Sequence, residues 1–270
     1  MKNIKFGFFK PCGLLYFVSL LIRLGLGFGK LKKFYSIILK KINKEKPLDI
    51  LYHGLKLRIY PHNNTIESKI FTSSKLREEK ELNIISRYIR HGGTFVDIGA
   101  NIGYYSLMAA KFGATHIIGI EPNPIVLDRF KDNIKFNRFE KQIKTFQVGI
   151  GEKQGTLELR LSQSDMGSSS IVNTKLNSDK IKIKVIPLEE LLKKEGITKV
   201  DVLKIDIEGF EDRALFPFFE TLDKKHYPRL ILIEDSSQTN WDENILGWLL
   251  ANGYRVLART RGNVLITTEQ

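Results

Sequence analysis

Residues 95–124 read FVDIGANIGYYSLMAAKFGATHIIGIEPNP, the order of strand, glycine turn, helix, strand and acid. Apolar Phe95 and Val96 run into Asp97, and Gly99 and Gly103 then leave a turn without side chains ahead of an apolar helical stretch. Residues 117–120 make a second buried strand that ends on Glu121. Ligands of an open parallel sheet bind beyond the carboxyl ends of its strands, so this order sets two carboxylates and two bare backbone turns around one adenosine-sized crevice.

A carboxylate at the tip of the second strand is placed to accept both hydroxyl protons of a ribose. Nicotinamide dinucleotide enzymes and S-adenosylmethionine enzymes share that feature, so the glycines decide between them. The dinucleotide pattern G-x-G-x-x-G, begun at Gly99, needs glycine where this chain has Asn101 and Tyr104. The chain has instead Asp97-x-Gly99-x-x-x-Gly103, the turn of S-adenosylmethionine-dependent methyltransferases, which have no pyrophosphate to cradle. An ordinary strand-to-helix turn with Asn101 as N-cap accounts for the glycines but not for Asp97 together with Glu121. The expected cofactor is therefore S-adenosylmethionine. Its expected contacts are Asp97, Gly99, Asn101, Gly103, Tyr104, Glu121, Pro122 and Asn123, with Asp206 further along.

The chain resembles the FkbM-type methyltransferases. The resemblance rests on VDIGANIGYYS at 96–106, IEPNP at 120–124, GSSS at 167–170 and LKIDIEGFE at 203–211, and it covers roughly residues 55–263. It implies a SAM-dependent methyltransferase whose usual acceptor is a hydroxyl oxygen of a sugar, glycan or other metabolite. It also draws attention to Asp165, Ser168 and Ser169 in a polar insertion, which read equally well as solvent-exposed loop.

With 270 residues, 42% of them apolar, the chain has the length for one full α/β domain and an appendage. The single cysteine, Cys12, excludes an intramolecular disulfide and a cysteine-rich zinc site. The five histidines show no metal-ligand spacing; the carboxylates at 206–211 could hold a divalent metal, as in catechol-type methyltransferases, but no further Asp-Asn pair is evident and the metal-free reading is preferred. A net charge of +13 invites a nucleic-acid reading, but its distribution argues otherwise. Residues 1–46 hold 11 lysines and arginines against Glu45 alone, whereas residues 47–270 hold 32 basic and 29 acidic residues. The basicity belongs to a leader.

Within that leader, residues 14–28 are apolar except for Ser19 and Arg23, a run shorter than the roughly 20 residues a bilayer span needs. An interfacial or shallowly inserted segment suits it better than a span. Residues 30–46 place Leu31, Phe34, Tyr35, Ile38 and Ile42 at helical spacing, with Lys33, Lys40 and Lys44 away from that face. The expectation is a basic amphipathic helix that contacts an anionic membrane, the protein lying in the cytoplasm at the inner face of that membrane. Packing of the same helix on the domain or on a second subunit is the plainer alternative. No small-x-small cleavage site follows the apolar run, which disfavours a cleaved secretory signal.

Residues 49–60 suggest a hairpin turning at His53 and Gly54, and residues 75–90 a helix. Helices over 102–112 and 125–137 alternate with strands over 116–120 and 144–148. Strands at 156–161 and 181–186 bracket the insertion. Strands at 201–206 and 229–234, helices at 210–221 and 244–252, and a closing antiparallel pair at 254–258 and 263–267 complete the pattern. The predicted class is α/β: a Rossmann-like, mostly parallel sheet with helices on both faces. The predicted divisions are a leader over 1–46, an entry hairpin and helix over 47–93, and a SAM-binding domain over 94–270.

Transfer of a methyl group from a sulfonium to a hydroxyl requires a base for the hydroxyl proton, and a carboxylate near the methyl group suits that task. Past the fourth central strand stand Asp206, Glu208 and Glu211, with Gly209 letting the chain turn into a helix. Glu208 is the first candidate base. Asp206 follows, as an orienter or a contact to the methionyl amino group, and Glu234 after the fifth strand is third. Glu211 reads more simply as an acid at a helix N-terminus. A nucleic-acid methyltransferase is the nearest competing enzyme, but the Asp/Asn-Pro-Pro-aromatic sequence of base methylation is replaced by DIEGF. A non-catalytic, membrane-tethered SAM-binding protein is the other alternative. The expected acceptor bears a hydroxyl, with a lipid-linked or envelope glycan a first choice, and nucleic acid is not expected.

Overall fold

The computed structural model describes residues 4–43, 45–162, 166 and 179–269. The leader folds as two helices, α1 (Gly13–Leu21) and α2 (Gly29–Ile42), joined by one wide helical turn in which Gly25 takes φ +90°. Neither they nor any other helix among the described residues is long and apolar enough to cross a membrane. The hairpin β1 (Leu48–Tyr52) and β2 (Leu55–Ile59) follows, pivoting on His53 and Gly54 at positive φ. Then come α3 (Thr65–Thr72) and α4 (Glu79–Ile89).

The central run is β3 (Thr94–Ile98), α5 (Tyr104–Phe112), β4 (His116–Ile120), α6 (Pro124–Asn137) and β5 (Ile143–Phe146). The strands β6 (Gly149–Ile150), β7 (Gly155–Leu161) and β8 (Asp179–Ile186) form a separate three-stranded sheet. The chain returns through α7 (Leu188–Lys194), β9 (Val202–Ile205), α8 (Glu211–Thr221), β10 (Leu230–Glu234), α9 (Ile245–Ala251), β11 (Arg255–Arg259) and β12 (Asn263–Thr267).

The main sheet has seven strands in the order β11-β12-β10-β9-β3-β4-β5, all parallel from β10 to β5. β12 runs antiparallel to both β10 and β11, so the closing pair stands at one edge. Period-2 alternation divides the core. Phe95, Ile117 and Val202 face α4, α5, α6 and the leader, whereas Val96, Ile118 and Leu203 face α7, α8 and α9. The chain builds outward from β3 in one direction to β5, then crosses back to β9. The switch point therefore lies between β3 and β9, where such sheets bind ligands.

The Rossmann-like α/β architecture read from the sequence is the architecture observed. The differences are local and have tertiary causes. The helix expected over 75–90 begins only at Glu79, because the Tyr52 hydroxyl accepts from Arg77 N and donates to Lys75 O, and the Tyr104 hydroxyl donates to Arg77 O. These bonds hold the chain ahead of α4 in an open turn that ends at Glu78 with φ +54°. The helix expected from Ile102 starts at Tyr104, since Asn101 and Gly103 both adopt positive φ. α3 and α7 were not anticipated. The leader buries Leu15, Val18, Ile22, Tyr35 and Leu39 in the same core as the β1–β2 hairpin, so it packs on the domain rather than trailing from it.

Candidate active site

At the carboxyl ends of β3, β4 and β9 a cavity opens, lined by Gly99, Asn101, Tyr104, Glu121, Pro122, Asp206 and Glu208 among the expected residues. Asp97, Gly103, Asn123 and Glu234 do not line it. Asp97 stands against the lining Lys204, Asn123 donates to the lining Glu121, Gly103 adjoins the lining Ile102 and Tyr104 in the chain, and Glu234 pairs with the lining Asn263.

Glu121 ends β4 almost fully buried. One carboxylate oxygen accepts from Asn101 N at 2.9 Å and the other from Asn123 N at 2.8 Å. Each oxygen keeps a second lone pair, and two acceptors spaced in that way match the adjacent hydroxyls of a ribose. Burial pushes the Glu121 carboxyl up to about 7 despite those two donors. Asn123 contributes from behind: its side chain caps α6 by accepting from Ile125 N, which fixes the peptide that holds Glu121.

The glycines of the turn answer to protein packing. Gly99, at φ +72°, has no room for a Cβ, which would stand 1.9 Å from the backbone oxygen of Asp206. Gly103, at φ +81°, is pressed against Phe130, whose ring atoms lie 1.9 Å from a hypothetical Cβ. The two glycines thus let the β9 loop and α6 close in on the turn. Gly99 still offers backbone to the cavity, whereas Gly103 faces α6.

Asp97 lies beneath the turn. Its Oδ2 accepts from Ser106 Oγ at 2.7 Å and Ser106 N at 3.2 Å, pinning the start of α5. Its Oδ1 stands 3.3 Å from the ammonium of Lys204, a residue the sequence reading passed over. Lys204 donates to Gly99 O at 2.7 Å and Ile98 O at 3.2 Å and lies 4.0 Å from Asp206. Burial alone lowers a lysine, but the Asp97 and Asp206 carboxylates outweigh it and hold Lys204 above its usual value. A lysine inside the apolar strand VLKI was the available signal.

The acidic run after β9 divides into distinct tasks. Glu211 is fully buried, its Oε1 accepting from Ile207 N and Gly209 N and its Oε2 from Trp241 Nε1 at 2.7 Å. It stands at the first position of α8 and is a clamp for the loop, a role that its reading as helix-terminal decoration did not include. The loop it clamps carries Glu208 at φ +59°, a left-handed conformation rare outside glycine, and brings this residue to the cavity wall. Glu234 accepts from Ser236 N through Oε1, while its Oε2 is buried without a hydrogen-bond partner. Burial first, then the neighbouring Asp206, Glu211 and Glu208 carboxylates, push Glu234 up to about 7.

Other wall residues lay outside the sequence expectation. Val148, Gly149 and Ile150 form an apolar flank beside Glu121, suited to an adenine face. Arg77 and Glu78, paired with each other, also line the cavity, and burial raises the Glu78 carboxyl. Asp165, Ser168 and Ser169 lie outside the described residues, as does the GSSS stretch. Among the described residues no three carboxylate, imidazole or thiol groups converge to hold a metal ion.

The residues present fit S-adenosylmethionine: a two-oxygen acceptor that would suit a ribose, an apolar flank that would suit the base, and the carboxylates Asp206 and Glu208 lining the same cavity. The family model for the methyltransferase FkbM domain matches residues 97–256. The chain is 26% identical over 162 residues to methyltransferase sdnD of Sordaria araneosa, covering 49% of this chain and 61% of that protein. It is 24% identical over 159 residues to hexuronic acid methyltransferase AglP of Haloferax volcanii, covering 58% of this chain and 64% of that one. The chain thus spans less than two thirds of the length of these relatives. A crystal structure of an FkbM methyltransferase from Methylobacillus flagellatus KT is similar at 18% identity and a TM-score of 0.48, covering 93% of this chain and 60% of that one. With the family model matched over more than half of its length, the chain belongs to the FkbM methyltransferases, for which S-adenosylmethionine is the methyl donor.

Proposed function

We propose that the protein is an O-methyltransferase acting on a sugar hydroxyl, with Glu208 as the base that takes the hydroxyl proton. The observation that carries this reading is the conformation of Glu208. A non-glycine residue at φ +59° costs on the order of 1 kcal/mol, and the buried Glu211 clamp maintains it in a residue that lines the cavity. The similarity to a hexuronic acid methyltransferase supports a sugar as acceptor.

When bound, S-adenosylmethionine supplies an electrophilic methyl group whose bond to sulfur breaks as the acceptor oxygen forms its bond to carbon. Glu121 holds the ribose through its two acceptor oxygens, and Asn101 N and Asn123 N keep that carboxylate aimed. Asp206, at the mouth of β9 beside Lys204, orients the methionyl end. Glu208 accepts the proton released by the hydroxyl as the new oxygen–carbon bond forms, which keeps charge balanced as the sulfonium is neutralised.

The test uses labelled S-adenosylmethionine with free uronic-acid sugars, lipid-linked glycans and RNA. Transfer to a sugar hydroxyl is expected, and Glu208→Gln is expected to lower it by about 100-fold or more while cofactor binding, read by calorimetry, stays within a few-fold. Labelling of RNA alone overturns the acceptor class, and undiminished transfer by Glu208→Gln moves the base elsewhere.

A further inference from the structure

Most of the large apolar side chains left exposed among the described residues lie between Phe8 and Ile42. α1 buries Leu15 and Val18 against the domain and turns Tyr16 and Phe17 outward, each more than half exposed. α2 buries Tyr35 and Leu39 and turns out Phe34 and Ile37, and the elbow between the helices presents Leu24 and Phe28. An amphipathic helix pair satisfied by the domain needs only one apolar stripe per helix. This pair has two, one buried and one open.

Charge identifies what covers the open stripe. Lys30, Lys33, Lys40 and Lys41 are exposed alongside Phe34 and Ile37, and Arg23 stands beside Leu24. Between α2 and α3 a cleft is lined by Lys32, Lys33, Lys40 and Lys69 together with Ser36 and Ser68, and no carboxylate among the described residues lines it. Burial, with repulsion from Arg77 and Lys69, lowers the Lys32 ammonium, and an anion in the cleft would oppose that repulsion. Outward aromatics interleaved with lysines, beside a cleft of ammonium and hydroxyl groups, match the acyl boundary and the phosphate layer of an anionic bilayer.

We infer that the α1–α2 hairpin is a bilayer-docking surface that lies in the interface of an anionic membrane, its outward aromatic and aliphatic side chains entering the acyl boundary and the lysine cleft between α2 and α3 taking a lipid phosphate. The hairpin does not span. Two short helices folded back at Gly25, each holding one face against the domain, leave nothing of membrane length. The elbow also touches the site's frame. Gly27 O accepts from Ser74 N, and a Cβ on Gly27 would stand 2.6 Å from that nitrogen, a few residues before the cavity-lining Arg77 and Glu78. Docking therefore orients the rim of the cavity with respect to the bilayer.

The experiment is co-sedimentation of the full chain with phosphatidylglycerol-containing and pure phosphatidylcholine vesicles. Binding to the anionic vesicles only, weakened by added salt, is expected. The variant Phe17→Ser/Leu24→Ser/Phe34→Ser removes only exposed side chains and is expected to weaken partitioning on the order of a hundredfold. Lys33→Gln and Lys40→Gln are each expected to weaken it about fivefold. Unchanged melting and unchanged S-adenosylmethionine affinity of the variants show that the fold persists. Failure of the full chain to bind anionic vesicles, undiminished binding by the triple variant, or a dimer that dissociates in the triple variant without any vesicle binding each overturn the proposal, the last assigning the stripe to a second copy.

Discussion

Replacing Lys204 by methionine removes one ammonium from the centre of the frame and keeps its volume. In the native protein that ammonium is buried, faces Asp97 Oδ1 at 3.3 Å and donates to Gly99 O at 2.7 Å and Ile98 O at 3.2 Å. Without it Asp97, itself 1% exposed, keeps only its two bonds from Ser106. Breaking a buried pair by removing one partner costs about 3–5 kcal/mol, and two carbonyls losing their donor push the effect toward the upper end. That is a large share of a net stability of roughly 5–15 kcal/mol, and for a chain of this size it lowers Tm on the order of 10 °C. Asp97→Asn alone is also destabilising, because an amide nitrogen facing the lysine replaces attraction by repulsion. The double variant Asp97→Asn/Lys204→Met has neither charge, and an asparagine oxygen can still accept from Ser106, so it is expected to recover about 2–3 kcal/mol relative to the sum of the singles. Urea unfolding of all four proteins closes the cycle. A loss below about 1 kcal/mol for Lys204→Met, or strict additivity, refutes the assignment of Lys204 and Asp97 as one structural unit.

Affinity for S-adenosylmethionine is expected to strengthen as pH rises through about 7, because the ribose hydroxyls donate best to an ionised Glu121; calorimetry giving a flat profile across neutrality would remove that contact. Glu121 and Glu234 both titrate near 7 in the folded chain, against 4.5 as the ordinary value, so their protonation stabilises the fold fully below the ordinary value and is lost as pH rises toward 7. Ligand-free melting temperature should fall across that window, and a rise across it would contradict the shifts. Gly99→Ala forces a Cβ to 1.9 Å from Asp206 O at φ +72°, so cofactor binding should be lost together with about 3 kcal/mol or more of stability; wild-type affinity would show that the two loops are not tightly apposed. Glu211→Gln turns an amide toward donors that now face a carboxylate, and a loss of about 2–4 kcal/mol with weakened transfer is expected from unfolding and activity assays, near-neutrality counting against the clamp.

The parallel sheet was legible because β3, β4, β9 and β10 are short, mostly β-branched or aliphatic runs, each followed by a glycine or an acid, and because period-2 alternation fills both faces. α3 escaped notice for a physical reason. Its eight residues carry a narrow apolar face at Ile70 and Phe71, and its start is fixed by Asn64 accepting from Glu67 N, a cap easily read as loop chemistry. The late start of α4 was illegible for a different reason: it depends on hydroxyls of Tyr52 and Tyr104, which no local pattern connects with residues 75–77.

The site shows how a motif can be read correctly for the wrong cause. Asp97, Gly99 and Gly103 point in sequence to a cofactor crevice, yet none of their defining features is explained by contact with a ligand. Gly99 is glycine because the Asp206 peptide lies against it, Gly103 because Phe130 does, and Asp97 is acidic because Ser106 and Lys204 converge beneath the turn. These three requirements bring β3, α6 and the β9 loop to one point and leave Glu121 and Glu208 on the walls of a single cavity. The glycine turn is thus a device of assembly. The same packing leaves Val148, Ile150 and Arg77 on the cavity wall without any motif around them, which is why the motif identifies the cavity and not what fills it.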